Sequence, residues 1–188
     1  MKQFTRIEPT TNYMVGDRFK RQAVVKRFQT DDGLAHEFTT WNSEDAVSVA
    51  VIGLTPDNQV IVSRQFRPGR EYYCDDIPGG GINDGEDVEE AARRELLEET
   101  GYVPGEMFSI GQYSWDAYNN LTSYYFLAIG CIFQGKSQTD QTEIDQGLEV
   151  KLISIDQLIE NAKSDKVTDA VAILMVYDRL KEIQGGKS

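Results

Sequence analysis

Histidine is almost missing from this chain, with one, His36, in 188 residues, and cysteine stops at two, Cys74 and Cys131. A lone histidine cannot build a multi-histidine zinc site. His36 follows a turn at Asp31-Asp32-Gly33 and reads as an ordinary surface residue. The cysteines lack metal-ligand spacing and fit a reduced, half-buried pair rather than a disulfide. Basic residues are scarce as well: 19 lysines and arginines stand against 31 acidic residues, a formal net charge of −12. A long nucleic-acid backbone needs a basic surface to displace its counterions, so DNA and RNA are disfavoured as partners. A small anionic ligand stays compatible, because a divalent cation inverts the field locally. The other reading of the excess is a solvated, solubilising surface. No apolar run nears the roughly 20 residues of a membrane helix, and Met1 to Val15 holds no apolar signal core. The expectation is a cytoplasmic protein with no membrane partner.

What is present suits an ordinary globular chain: 40% hydrophobic and 27% charged residues, enough to bury a sizeable core. Neither repeats nor low-complexity tracts occur. Phe19–Phe28 and Leu34–Trp41 are expected as two strands around the Asp31-Asp32-Gly33 turn. The β-branched run Ala46–Ile52 and the segment Val60–Phe66 form a hairpin through Pro56-Asp57-Asn58. Asp76–Gly81 is the densest glycine cluster. Asp84 is a candidate N-cap for a helix from Val88 to Thr100, which Gly101 stops. Phe108–Tyr113 and Ser123–Phe133 read as strands, with Trp115–Leu121 between them. A polar loop spans 135–146 and a strand Leu148–Ile153. Two helices close the chain, Ile155–Lys163 with Ser154 as N-cap and about Thr168–Ile183. Strands, one helix, strands, then helices argue for an α+β sandwich. The expected division is residues 1–45 as N-terminal strands and 46–188 as the main domain.

The helix after the glycine cluster carries Arg94, Glu95, Glu98 and Glu99. Residues three and four apart share a helical face, so the three carboxylates project towards a common point. Their mutual repulsion is relieved by a divalent cation, and hard oxygen ligands suit magnesium, with manganese as the alternative. Arg94 precedes Glu98 by one turn and is placed to hold it. The competing reading is a charged surface helix with incidental pairs. Backbone amides of the glycine turn, Gly80 among them, are placed to cradle phosphate oxygens.

Gly80, five residues, Glu86, seven residues, then Arg94-Glu95-Leu96-Leu97-Glu98-Glu99-Thr100-Gly101-Tyr102 resembles the Nudix box throughout, apart from Tyr102 at a usually aliphatic position. Seven strict matches at fixed spacing leave no room for coincidence when each residue type is used at about 7% or less. The resemblance implies a Nudix-type α/β/α sandwich with a mixed central sheet and a small N-terminal antiparallel sheet. It implies that Glu95 and Glu99 are the principal metal ligands, with Glu98 a further ligand or base and the Gly79 carbonyl completing the site. Arg94 would orient a glutamate, and Glu86 would support the loop or a second metal. The implied chemistry is attack of a metal-activated water on one phosphorus of a pyrophosphate.

Outside the box, Gln65-Phe66-Arg67-Pro68 and Asp76-Ile77-Pro78-Gly79-Gly80 are similar to the ADP-ribose and nucleoside-diphosphate-sugar pyrophosphatases. That resemblance implies Arg67 as a contact of the substrate diphosphate. It also implies a homodimer whose N-terminal sheet supplies the interface and part of the nucleoside pocket. Asp76 stands where most relatives carry glutamate. Asp116-Ala117-Tyr118-Asn119 replaces a proline-containing turn, and Tyr118 is similar to a tyrosine of dinucleoside-polyphosphate hydrolases. The aromatic loop with Tyr118 is either a base-stacking contact or core packing. A distal acidic residue often serves as general base in this subfamily. The aligned position is Gln146, so Glu143 or Asp145 takes the part if the loop is shifted, and Glu98 otherwise. The expected substrate is ADP-ribose, cleaved to AMP and ribose 5-phosphate. Alternatives are hydrolysis of dinucleoside polyphosphates or nucleoside triphosphates, and a nucleotide-sensing module without turnover.

Overall fold

The computed structural model describes residues 1–17, 20–135 and 147–186. The chain divides into two compact units, one of Met1–Val47 with Tyr113–Ser123, the other of Ser48–Gln112 with Tyr124–Ser188.

In the first unit, β1 (Phe4–Val15), β2 (Arg21–Thr30) and β3 (Ala35–Trp41) form an antiparallel sheet in that order. β2 and β3 turn at Asp31–Gly33, where the Gly33 amide donates to the Thr30 carbonyl at 2.8 Å. β1 is a strand that the sequence reading did not anticipate. Pro9 lies inside it, which an edge strand tolerates because one side of its backbone needs no ladder partner. Phe4, Phe28, His36 and Phe38 make an aromatic cluster with ring centroids 5.4 to 6.5 Å apart. His36 is therefore half-buried rather than a plain surface residue, with its Nε2 enclosed and unpartnered among the described residues.

The second unit is built on a seven-stranded mixed sheet. Its main path runs β12 (Glu149–Ile153), β5 (Val60–Arg67), β4 (Val47–Leu54), β10 (Thr122–Ile129), β9 (Glu106–Ser114). β6 (Tyr72–Asp76) pairs with β5 and β7 (Gly79–Gly81) with β4. The strands' period-2 alternation feeds two cores. Val49, Val51, Ile61, Phe126 and Ala128 face α1 (Val88–Thr100), which contributes Ala91, Ala92 and Leu96. Ile52, Leu54, Val60, Val62, Tyr125 and Leu127 face the opposite layer, formed by α2 (Ile155–Lys163), α3 (Ala170–Met175) and α4 (Tyr177–Gln184). Helices on both faces of a sheet give the α/β/α sandwich expected.

Three local expectations change. The N-cap of α1 is Asp87, not Asp84: its side chain accepts from the Glu89 amide at 2.8 Å and forms a capping box with Glu90. The strand expected to run to Phe133 ends at Ile129, and Ile132–Phe133 is a separate short strand, β11, paired with β8 (Tyr102–Val103). The last helix divides at Val176, which is buried and non-helical. Cys74 and Cys131 are free and fully buried, and burial pushes the Cys131 thiol up to about 11. Among the described residues no helix is long and apolar enough to cross a membrane.

Candidate active site

α1 starts at the Asp87 capping box and stops where Gly101 takes a left-handed φ of 77° and returns its amide to the Leu97 carbonyl. Between these points one face packs on the sheet, and that face includes two carboxylates. Glu95 and Glu99, one turn apart, are 9% and 4% exposed. Buried like charges at that spacing are unfavourable unless something compensates them.

Part of the compensation comes from Arg94. Its Nε and one terminal nitrogen meet both oxygens of Glu86 at 2.8 and 3.0 Å. The same nitrogen donates to the Gly81 carbonyl at 2.8 Å, and the other reaches Glu95 at 2.7 Å and Glu98 at 2.9 Å. A guanidinium has five N–H donors in a fixed fork, and these five bonds use all of them. Arg94 thus joins the 81–86 loop, with Glu86, to two of the three glutamates that follow it on the helix. Its guanidinium is held more firmly protonated by these partners, Glu86 foremost. The Glu86 carboxyl is held below its ordinary range by Arg94 and by the Asn83 amide, which donates to it at 2.9 Å.

Glu99 lies on the other side of this arrangement and accepts from the Ser63 hydroxyl of β5 at 2.7 Å. Ser63 is completely buried, and nothing in its sequence context marks it beyond its alternation with the apolar residues of β5. Among the described residues no three acidic groups stand together as a set that holds an ion. Glu95 and Glu98 share Arg94, while Glu99 is turned to Ser63. The donor chemistry nonetheless fits a hard divalent cation: two enclosed carboxylates one turn apart, beside a glycine backbone.

Gly79 and Gly80 belong to β7, paired with Ala50 and Val49 of β4. A Cβ on Gly79 would collide with the backbone of Val49 and Ala50. At Gly80 it would lie 2.6 Å from Glu95 Oε1 and 2.7 Å from Oε2. The bare Cα of Gly80 therefore makes room for the Glu95 carboxylate to lie on the loop.

Arg67 sits at the end of β5, and its Nε meets Asp76 Oδ2 at 2.5 Å. Its two terminal nitrogens carry no hydrogen bond among the described residues, and about a third of its side chain is exposed. Asp76 is fully buried and also accepts from the amide and hydroxyl of Thr168 at 2.5 and 2.9 Å. Thr168 carried no signal in the sequence, since its contact spans 92 residues. Tyr118 belongs to the first unit. It is half-exposed and lines a cavity of about 500 Å³ with Phe4, Phe28, Phe38, Asn119 and Asn120. Glu143, Asp145 and Gln146 lie outside the described residues.

The chain matches the profile of the NUDIX domain over residues 44–173. It is 33% identical over 138 residues to the ADP-ribose pyrophosphatase of Bacillus subtilis (strain 168), a match covering 72% of this chain and 73% of that protein. Over 62 residues it is 53% identical to the ADP-sugar pyrophosphatase of Mus musculus, covering 32% of this chain and 28% of the other. The crystal structure of an ADP compounds hydrolase superposes with a TM-score of 0.75, covering 99% of this chain and 97% of that one at 19% identity. That likeness shows the fold.

Proposed function

The chain belongs to the NUDIX family of hydrolases, and from that premise we propose that it cleaves the pyrophosphate bond of a nucleoside diphosphate linked to a sugar. ADP-ribose is the substrate we favour, giving AMP and ribose 5-phosphate, with magnesium as the ion. The observation that carries the chemistry is the enclosed Glu95–Glu99 pair, with Glu95 set against Gly80. The substrate class is supported by the similarity to an ADP-ribose pyrophosphatase along most of both chains.

Glu95 and Glu99 would hold the ion, with the Gly79 carbonyl and Glu98 as further oxygen donors. When bound, the ion lowers the pKa of water and neutralises charge on the bridging and leaving oxygens. Arg94 keeps Glu95 and Glu98 oriented through the bonds described above. The Arg67 terminal nitrogens, without a hydrogen bond among the described residues, would take diphosphate oxygens in the bidentate manner that a guanidinium favours. In the reaction a water oxygen bonds to one phosphorus, the bridging P–O bond breaks, and a carboxylate accepts the water proton. Glu98, whose side chain is 38% exposed, is one acceptor in reach of solvent, and Glu143 and Asp145 are the other candidates. Gly80 contributes clearance for the Glu95 carboxylate, and the exposed ring of Tyr118, in the first unit, is open to stacking on a base or ribose. A homodimer is supported by exposed apolar side chains on the N-terminal sheet, Phe4, Tyr13 and Met14 among them. A cytoplasmic setting is supported by the two free thiols.

A panel of nucleotide sugars, dinucleoside polyphosphates and nucleoside triphosphates, incubated with magnesium in oxygen-18 water, tests the reading. Fastest turnover of ADP-ribose, with label in one of the two phosphate esters, is the expected result. The reading is overturned if no nucleotide sugar yields a phosphate ester.

A further inference from the structure

Arg67 reaches Asp76 by folding back along the sheet. Its own backbone pairs with Tyr72, whereas Asp76 is the register partner of Ser63. Asp76 thus stands four ladder positions from the Arg67–Tyr72 pair, and the Arg67 side chain turns back along the sheet to meet it. Asp76 thus draws the guanidinium back towards the level at which Ser63 holds Glu99. Without an anchor, a half-exposed arginine samples many rotamers and gives up that freedom when a ligand binds.

The anchor is itself anchored. Asp76 Oδ1 takes both the amide and the hydroxyl of Thr168, which leaves Oδ2 for Arg67. Thr168 comes from a segment fastened along β6: the Asp75 amide donates to the Lys166 carbonyl at 2.8 Å, and the Tyr72 hydroxyl and Arg70 both bind Asp165. The Thr168 hydroxyl also lies 3.0 Å from Asp169 Oδ2, yet a hydroxyl carries one proton and cannot donate to two carboxylates. Burial, and further the charge of Asp76, push the Asp169 carboxyl above its ordinary range. The hydroxyl proton of Thr168 thus lies between two carboxylates, while its amide is committed to Asp76. Tyr125 donates to the other Asp169 oxygen at 3.1 Å. Thr168 therefore holds the carboxylate that meets Arg67.

We propose that Thr168 is a positioning residue for the substrate: with Asp76 it fixes the Arg67 guanidinium so that both terminal nitrogens meet an incoming diphosphate. The proposal rests on the reading of Arg67 as the diphosphate contact. Neither Thr168 nor Asp169 touches the reacting atoms. Their effect runs through Asp76 and is confined to binding.

Steady-state kinetics on the nucleotide sugar turned over fastest provides the test, with wild type, Thr168→Val, Thr168→Ser, Arg67→Ala and the double variant Arg67→Ala/Thr168→Val. Thr168→Val keeps the shape and the backbone amide but removes the hydroxyl. It is expected to raise KM about tenfold, the order lost with one hydrogen bond to a charged group, and to move kcat by about twofold at most. Thr168→Ser restores the hydroxyl and should restore KM. The double variant should be no worse than Arg67→Ala alone, because both changes disable one contact. If Arg67→Ala raises KM while Thr168→Val does not, or if the two effects add, the positioning role is overturned. An unchanged KM in Arg67→Ala overturns the diphosphate contact instead. Melting curves accompany each variant. Should Thr168→Val fail to fold, Asp76→Asn takes its place, with the same required rise in KM and the same absence of additivity with Arg67→Ala.

Discussion

A methyl group on Gly80 would stand 2.6 Å from Glu95 Oε1, so Gly80→Ala forces the carboxylate off the loop. Displacing a group of the site by about 1 Å costs as much as 100-fold in rate. The expected outcome is a fall in kcat on the order of 10- to 100-fold with a higher magnesium requirement, read from rates across a magnesium titration. Wild-type rates in Gly80→Ala would show that Glu95 is not held against the loop in the working enzyme. Arg94 makes a sharper case, because all five of its donors are in use. Arg94→Lys keeps the charge and loses the fork. It should lower kcat by about 10-fold or more, on the scale of two or three lost charge-assisted bonds. Added guanidinium at low millimolar concentration should restore part of that loss. A lysine variant as active as wild type would show that charge alone holds Glu86 and Glu98.

At the scale of elements, α1 is a short helix whose start is set by one side chain. Asp87→Ala removes the capping box, which is worth about 1 kcal/mol. For a chain of this size that lowers Tm by roughly 2–4 °C. Among the described residues Asp87 bonds only within the cap, so kcat should stay close to wild type; a large loss of kcat would tie the cap to the chemistry. The same helix shows what sequence can reveal. Its span and its glycine stop follow from periodicity and turn chemistry, and both appear as expected. Its cap was misplaced by three residues because Asp84 and Asp87 are equally good N-caps, and only the Asn83–Glu86 turn chooses between them. β1 escaped notice because most of its side chains are exposed and no alternation survives. β6 escaped because Tyr72 and Tyr73 face solvent and only Cys74 and Asp76 are buried. Within the candidate site, the grouping of Glu86, Glu95 and Glu98 around Arg94 was legible because their spacing is local. Ser63 and Thr168 were not, because their partners lie 36 and 92 residues away in the chain.

The whole molecule carries a net charge of −12, and its fold encloses two carboxylates of that excess, Glu95 and Glu99, on one helical face. Self-repulsion of this kind destabilises a compact state, and a bound cation reverses it. Anything that binds the folded chain and not the unfolded one stabilises it by mass action, about 2.7 kcal/mol at a ligand concentration 100 times Kd. At roughly 2–4 °C per kcal/mol, magnesium should raise Tm by about 5–10 °C, and chelation should return it to the metal-free value. Glu95→Gln and Glu99→Gln should lose most of that rise. Without magnesium they should melt close to wild type, since the loss of one of two neighbouring like charges offsets the weaker bonds to Arg94 and Ser63 while the side chain's shape is kept. This pattern separates a metal site from a merely structural pair. A structural pair would give variants that melt lower with or without the ion, and a diffuse effect of salt on an acidic surface would raise Tm equally in all three proteins. Equal shifts in wild type and both variants would therefore move the ion away from Glu95 and Glu99, whatever the enzyme's activity.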